Sequence, residues 1–536
     1  VSTGAAERTA VVLRGDNAEV EFGSFGLDAY ETFLKVKQLP EKHLAFDAFT
    51  GTYKVTTPAR FAHILDPSMS APVRPALPLA SHLFDYQAWV DRRALEAKRF
   101  ACWLDTGLGK TPILLEFARQ VVARTGGRSL ILSPPGLVLE QTCEQAARFY
   151  GEGLRIDRLA TRGAVAEWCA RPGPGLAITN YEKLIPGEIG EMRRPAGLIA
   201  DESSILKTGG GKIKWHLIRS ARGIEYKLSC TATPAPNETM EYASQAAFLE
   251  TIRHEGEVLW TWFRRDKNGD WSVKPHARPS FYRWLASWSM YLRDPARFGW
   301  KDVLAELPEP QWSEERLPLT AEQQDAMYSV LADSGSGLFA HSLGVRERTK
   351  LAQIARGFIY EGTGAARRAR RIPSAKALRV AEITRAEAAA GRPVIVWTVF
   401  DEEAAILAEL LADLEPVTVD GSVPESARSA LLGRFLGGHA PVLITKAQVG
   451  GYGLNLQRAK SMVFSGFDDS AERMYQAVRR AYRYGQTDRL RVFIPYVPEL
   501  EGLMFANIRA KERRFMDEVQ AQETEYLQVI RDGGLA

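Results

Sequence analysis

Short apolar runs recur along most of the chain, each bounded by glycine, proline or polar clusters and separated by stretches with helical spacing. Phe100-Ala101-Cys102-Trp103, Ser129 to Ser133, Leu176 to Thr179, Leu198 to Ala200 and Tyr226 to Cys230 form one series. A second runs through Val394 to Thr398, Val417 to Val419, Val442 to Thr445, Met462 to Ser465 and Arg491 to Pro495. Runs with little polar alternation are the mark of strands buried on both faces, and their alternation with helices predicts parallel, doubly wound sheets. Two series predict two α/β lobes, in keeping with a chain of 536 residues that is too long for one core.

The N-terminal part reads differently. Ala10 to Leu13 and Glu19 to Phe22 flank Gly15-Asp16-Asn17, a hairpin signal; a short amphipathic helix follows over Tyr30 to Lys37, and a second hairpin turns at Thr50-Gly51. Pro67, Pro72, Pro75 and Pro78 mark a linker. The module is either a packing appendage or a domain that senses a substrate or a partner protein. At the other end, Leu500 to Val529 carries apolar residues at helical spacing and predicts a long helix or helix pair bracing the lobes. The expected organisation is residues 1–75 as N-terminal module and linker, 76–307 and 308–499 as the two lobes, and 500–536 as the brace.

Composition narrows the class modestly. A net charge of +4 permits a nucleic-acid partner without requiring one. Cys102, Cys143, Cys169 and Cys230 form no C-x-x-C pair, which argues for reduced thiols over a metal site or disulfide framework. Val1-Ser2-Thr3-Gly4 lacks a basic-then-apolar leader pattern, and no apolar run approaches the ~18 residues of a membrane span. An intracellular protein without membrane contact is expected, cytoplasmic in a bacterial or phage setting and nuclear in a eukaryotic one.

Candidate chemistry centres on Leu104-Asp105-Thr106-Gly107-Leu108-Gly109-Lys110-Thr111, between the first apolar run and a helical pattern over Ile113 to Val122. Strand, glycine turn and helix in that order make a phosphate loop. Thr106, Gly107, Leu108 and Gly109 bring backbone N–H groups to the phosphates, Lys110 reaches the β/γ oxygens and the Thr111 hydroxyl takes Mg²⁺. Leu104 stands where the loop pattern has glycine. About ninety residues on, Asp201-Glu202 follow an apolar strand: Asp201 is placed to hold Mg²⁺, and Glu202 to orient and deprotonate the attacking water. Gln87, upstream of the loop, is a candidate reader of the adenine edge. Thr231-Ala232-Thr233-Pro234 closes a further strand with hydroxyls suited to a relay toward the second lobe.

These residues, with Leu132-Ser133-Pro134-Pro135 and Ile178-Thr179-Asn180-Tyr181-Glu182, resemble superfamily 2 helicases, and most closely the Swi/Snf-type DNA translocases. Leu317 to Gln323, Ile444 to Ala447, Gly450 to Leu456 and Gln476 to Gln486 resemble the same branch, so the likeness runs from about Leu83 to Val497. It departs at Leu104, at Ser203-Ser204, at Arg479 where the branch has Asp, and at Tyr482 where it has His; in these it resembles phage, plasmid and defence-system members. The resemblance implies two RecA-like lobes, ATP and Mg²⁺ as cofactors, and nucleotide contacts from Gly453 and Gln476. It implies that Arg480 and Arg483, three apart on one helix face, reach the γ-phosphate when the lobes close. Ser133, Pro134, Tyr181, Thr398 and Thr445, at strand ends, are the implied contacts to a DNA backbone.

The stretch 251–300 holds Trp260, Trp262, Trp271, Trp284, Trp288 and Trp300 with interleaved basic residues, Arg264 and Arg265 among them. Tryptophans so placed fill a core or stack on bases, while the arginines bind phosphates; by analogy the stretch is a helical insertion in lobe 1. Arg367 to Arg371 reads as a solvated loop. The function these features imply is ATP-dependent movement along double-stranded DNA, in remodelling, repair or defence against foreign DNA. A strand-separating DNA or RNA helicase and a regulatory nucleotide switch of low turnover are the alternatives.

Overall fold

The computed structural model describes residues 10–14, 17–22, 27–39, 42–47, 49–59, 62–66, 69, 77–134, 137–184, 194–206, 212–235, 239–265, 271–301, 307–333, 344–362, 367–421, 423–447, 455–467, 471–483 and 486–531. In the N-terminal module β1 (Val11–Arg14), β2 (Asn17–Phe22), β3 (His43–Asp47) and β4 (Thr52–Pro58) form an antiparallel sheet in the order β1-β2-β4-β3. Helix α1 (Leu27–Gln38) contributes Val36 to a small core with Val20, Val55 and Leu65. Pro67, Pro72 and Pro75 of the linker lie outside the described residues.

Lobe 1 follows with α2 (Asp85–Ala97), β5 (Arg99–Leu104), α3 (Lys110–Thr125), β6 (Arg128–Ser133), β7 (Asp157–Arg158), β8 (Gly175–Asn180), β9 (Gly197–Asp201) and β10 (Tyr226–Cys230). The hairpin β11 (Phe263–Arg265) and β12 (Trp271–Val273), helix α4 (Arg278–Trp288) and β13 (Ser289–Leu292) complete it. Seven strands pair in parallel in the order β13-β5-β10-β9-β6-β8-β7. The apolar runs become its central strands because both faces are covered, as the full burial of β9 and β10 illustrates. At Gly197 a Cβ would lie 2.7 Å from Ser129 Oγ and 2.9 Å from a Val121 methyl, so only glycine lets α3 settle this close.

The stretch 251–300 is more than a helical insertion, since one of its segments, β13, is an edge strand of the lobe 1 sheet. Trp288 meets fully buried Trp103 edge-on at 5.3 Å, and Trp284 stacks on Trp262 at 4.6 Å, which makes core packing the main work of these rings. Trp260 is the exception, 74% exposed.

Lobe 2 is built from β14 (Gln311–Arg316), the hairpin β15 (Phe358–Glu361) and β16 (Arg368–Arg371), β17 (Val394–Thr398), β18 (Val417–Val419), β19 (Val442–Lys446), β20 (Ser461–Phe464), α5 (Ala471–Arg479) and β21 (Arg491–Tyr496). Six strands pair in parallel in the order β14-β21-β20-β17-β19-β18. The arginine run read as a loop is in fact strand β16, held by Arg370 to Glu361 at 2.6 Å and by Arg371 to Glu402 and Glu409. All four cysteines are free, three of them buried. Among the described residues no helix is long and apolar enough to cross a membrane.

Helix α6 (Pro498–Arg531) is one continuous helix and touches both lobes. Its first turns place Met504, Phe505 and Ile508 in the lobe 2 core; its last turns place Val519 and Tyr526 in the core of lobe 1. Tyr242 donates to Gln522 Oε1 at 3.2 Å, and the fully buried Tyr526 hydroxyl meets Ser289 Oγ at 2.6 Å. Tyr526→Ala should therefore cost about 3–5 kcal/mol, as for other large buried rings. The expected readout is loss of amide-exchange protection over residues 515–531, with residues 498–508 still protected; unchanged exchange would show that this end of the helix is not held by the ring.

Candidate functional site

Strands β5, β10 and β9 lie side by side, so the turns at their carboxyl ends, 105–109, 231–235 and 201–206, converge at one edge of the lobe 1 sheet. Leu104 closes β5 with its side chain fully buried, which accounts for the absence of glycine there: the position belongs to the core. Beyond it Gly107 (φ 98) and Gly109 (φ 73) adopt left-handed backbone that a side chain would strain. Lys110 and half-buried Thr111 open α3, and Lys110 Nζ donates to the Leu104 carbonyl at 3.1 Å, across the mouth of the loop.

Gln87 braces this loop. Its Oε1 accepts from Phe84 N at 2.9 Å, capping α2, and its Nε2 donates to the Leu108 and Gly109 carbonyls at 3.0 and 3.3 Å. A Cβ at Gly109 would fall 2.3 Å from Gln87 Nε2. With both ends of its amide engaged and 2% of its surface exposed, Gln87 is placed as a support of the loop. The Tyr86 hydroxyl donates to the same Leu108 carbonyl at 2.8 Å.

Asp201 and Glu202 follow at the end of β9. Asp201 is buried, and its carboxyl is raised to about 7, first by burial and next by Glu202, while Lys110 and Arg480 pull it back down. Glu202 adopts φ 51, a left-handed backbone rare outside glycine, and its carboxylate accepts from Thr231 Oγ1 at 3.4 Å. Tyr181 donates to the Asp201 carbonyl at 2.5 Å. Behind the pair, Ser203 Oγ accepts from Ser229 at 2.8 Å and its carbonyl from Gln245 Nε2 at 2.8 Å, so the Ser203-Ser204 departure feeds a buried polar network.

These groups fit ATP with Mg²⁺. The loop offers N–H groups and an ammonium to phosphate oxygens, and two adjacent carboxylates, one buried and incompletely compensated, suit a divalent cation. Among the described residues no set of three or more His, Cys, Asp or Glu side chains makes an all-protein metal cage. Mg²⁺ held by one or two carboxylates and the substrate's own phosphates needs none.

Lobe 2 meets this edge through α5 and the turn after it. Gln476, 3% exposed, has Nε2 at 3.4 Å from Thr233 Oγ1 of lobe 1. The helix ends at Arg479, which corrects the expectation that Arg480 and Arg483 share a helix face: both stand on the turn beyond it. Arg480 is buried, and its carbonyl accepts from Leu456 N at 3.0 Å. Burial lowers the Arg483 guanidinium from its ordinary value. Gly453 lies outside the described residues. The sequence reading missed Asp105, Tyr475 and Arg293: Asp105 accepts from Tyr475 and Arg479 of lobe 2, with Arg293 Nε at 3.9 Å. Arg479 in place of the branch's Asp was the available signal, since a buried cation needs an acid.

The residues read as backbone contacts are distributed unevenly. Thr398 and Thr445 are buried at 2% and 1%, with hydroxyls directed to the Thr445 and Val419 carbonyls at 3.4 and 2.7 Å; Tyr181 is likewise buried. Ser133 and Pro134 are buried at the end of β6. Arg264 and Arg265 are exposed on β11, and Arg265 lies 5.1 Å from the Trp271 ring. A depression at the ends of β17, β19 and β20 is lined by Thr398, Lys446 and Arg473.

Residues 375–485 match the helicase conserved C-terminal domain family. The fold is similar to that of the Sulfolobus solfataricus SWI2/SNF2 ATPase core in complex with dsDNA, at 18% identity and a TM-score of 0.38 over 84% of this chain and 97% of that one. It is also similar to the Pyrococcus furiosus Hef helicase domain, at 14% identity and a TM-score of 0.46 over 79% of this chain and 98% of that one. No curated protein matches the sequence. The family match thus falls within the second lobe, beside a first lobe built on its own parallel sheet.

Proposed function

We propose that the chain hydrolyses ATP between its lobes and uses the cycle to move along double-stranded DNA, as a translocase of the Swi/Snf-type branch. The observation that carries this reading is the arrangement at the lobe boundary: Gln476 of lobe 2 lies 3.4 Å from Thr233 of lobe 1, and buried Arg480, four residues on, faces the edge where Asp201 and Lys110 stand, opposing in part the burial that raises the Asp201 carboxyl. A cation delivered by the second lobe to a buried acid and its half-buried neighbour is what a closure-dependent phosphoryl transfer requires. ATP with Mg²⁺ supplies the phosphoryl group and its counter-charge when bound. With both bound, the loop N–H groups and Lys110 would hold phosphate oxygens, Asp201 would hold the metal, and Glu202 would orient water and take its proton on a carboxylate oxygen. Arg480 neutralises charge that develops on the reacting group, with Arg483 beside it. The exposed Arg264 and Arg265 support a duplex partner. Lys446 and Arg473 in the lobe 2 depression add candidate phosphate contacts.

Glu202→Gln should bind ATP and lose turnover, whereas Lys110→Ala should weaken binding itself; equilibrium binding beside steady-state hydrolysis separates the two. Normal hydrolysis by the Gln variant would remove Glu202 from its role. Arg480→Ala should lower kcat by roughly 10³-fold or more, the lower range of arginine fingers, with little change in ATP affinity.

Blunt duplex DNA should stimulate hydrolysis with little sequence preference, and affinity should fall steeply with salt as counterions replace phosphate contacts. A triplex strand should be displaced while a forked duplex stays annealed. Efficient opening of the fork, or stimulation by RNA alone, would favour the strand-separating helicase, and negligible turnover under every condition the regulatory switch.

A further inference from the structure

Asp105 gathers donors from three parts of the chain. It is 1% exposed, at the first position of the phosphate loop. Its N–H donates to the Leu292 carbonyl of β13 at 2.9 Å, and its Oδ1 accepts from Thr106 N at 2.6 Å and from the Tyr475 hydroxyl. Oδ2 accepts from Arg479 Nη2, with Arg293 Nε at 3.9 Å. Arg479 is itself buried, its guanidinium 5.3 Å from the Tyr475 ring and 5.0 Å from the Tyr482 ring. Asp105 is the one carboxylate within ion-pair distance of Arg479 among the described residues. Neighbouring Arg293 donates its N–H to Glu523 of α6 at 3.0 Å. The carboxylate at the mouth of the nucleotide loop thus ties lobe 1 to α5 directly, and to α6 through Arg293.

The consequence lies one residue along. Arg480 follows Arg479, at the point where α5 ends; its N–H bonds Ala477 O at 3.2 Å and its carbonyl bonds Leu456 N at 3.0 Å. With Arg479 held on the loop and the backbone of Arg480 held within lobe 2, the buried Arg480 side chain starts from a fixed point within electrostatic reach of Asp201. We propose that Asp105 and Arg479 form the positioning contact of this enzyme, an ion pair between the phosphate loop and the second lobe that sets lobe closure and places Arg480 against Asp201 and Glu202. The inference rests on the ATPase reading above. It makes Arg479, where the resembled branch has Asp, and Tyr482, where it has His, parts of one device: the arginine crosses the cleft and the tyrosine ring flanks it. A buried ion pair of this kind specifies geometry more than it stabilises, and loss of either partner strands the other.

The test is a double-mutant cycle of Asp105→Asn and Arg479→Gln in the full chain, read as kcat and KM for ATP with duplex DNA present, alongside nucleotide-free small-angle scattering. Each single variant should lower kcat by about 10- to 100-fold, the scale of a misplaced catalytic group, with KM changed less than about threefold. The double variant should be no slower than the worse single one, since both remove the same contact. Arg479→Lys, which keeps the charge, should recover part of kcat, and the Gln and Asn variants should scatter as more open particles than the wild type. Multiplying effects in the double variant, or wild-type kcat in both singles, would overturn the proposal. So would unchanged scattering from folded variants. If the wild type does not hydrolyse ATP, the functional reading fails, while scattering still decides whether this pair holds the lobes together.

Discussion

Buried charge calls for compensation, and at the cleft of this chain two buried acids of one lobe meet cations of the other. Asp201 and Asp105 both lie at carboxyl ends of lobe 1 strands, out of water, and neither is satisfied by its own lobe alone. The cations that face them, Arg480 toward Asp201 only in part and Arg479 on Asp105 directly, are adjacent residues of lobe 2. Two acids on one lobe and two consecutive arginines on the other give the halves a mutual register that apolar packing, which is indifferent to small slides, would not give.

The rest of the architecture keeps that register. Lobe 2 has its own buried charge cluster, Lys376 with Glu501 and Arg356 with Glu403, all nearly inaccessible, which joins α6 to the body of the lobe at its first turn. Burial lowers the Lys376 ammonium from its ordinary value, and Glu501 opposes that shift only in part. Lobe 1 receives the far end of the same helix at Tyr526 and Glu523. The helix therefore starts in one polar cluster and ends beside another, the one that contains Asp105.

How far this was legible in the sequence depended on which force shapes each part. The central strands declare themselves because burial on both faces writes an apolar run, and the candidate phosphate loop and acid pair because the chemistry proposed for them demands particular residue types at fixed positions. Edge strands do neither. Gln311–Arg316 is mostly exposed and is a strand only through its ladder with Arg491–Tyr496, while Ser289–Leu292 is masked by the tryptophan-rich stretch around it. Asp105 and Arg479 were each visible as residues, but a contact between positions so far apart in the chain has no local signature. The same holds for the place where α5 stops: the helical spacing of Arg480 and Arg483 continues past the end that the chain actually takes.

Helix α6 has a mechanical meaning. From Ile508 in one core to Tyr526 in the other is about 27 Å of helix at 1.5 Å per residue. Swinging one lobe by ten degrees about the near end would carry Tyr526 roughly 5 Å from its socket if the rod were stiff. Helices do curve, with radii of about 60–100 Å, and over this span that amounts to about 15–25° of bend. Relative rotation of the lobes within that range loads the helix as a leaf spring, with restoring force toward the arrangement in which the ring is seated. A wider excursion requires the ring to leave. The molecule thus has a compliant range and a yield point, set by the length of one helix and by the contacts of Val519, Gln522, Glu523 and Tyr526 that seat its far end.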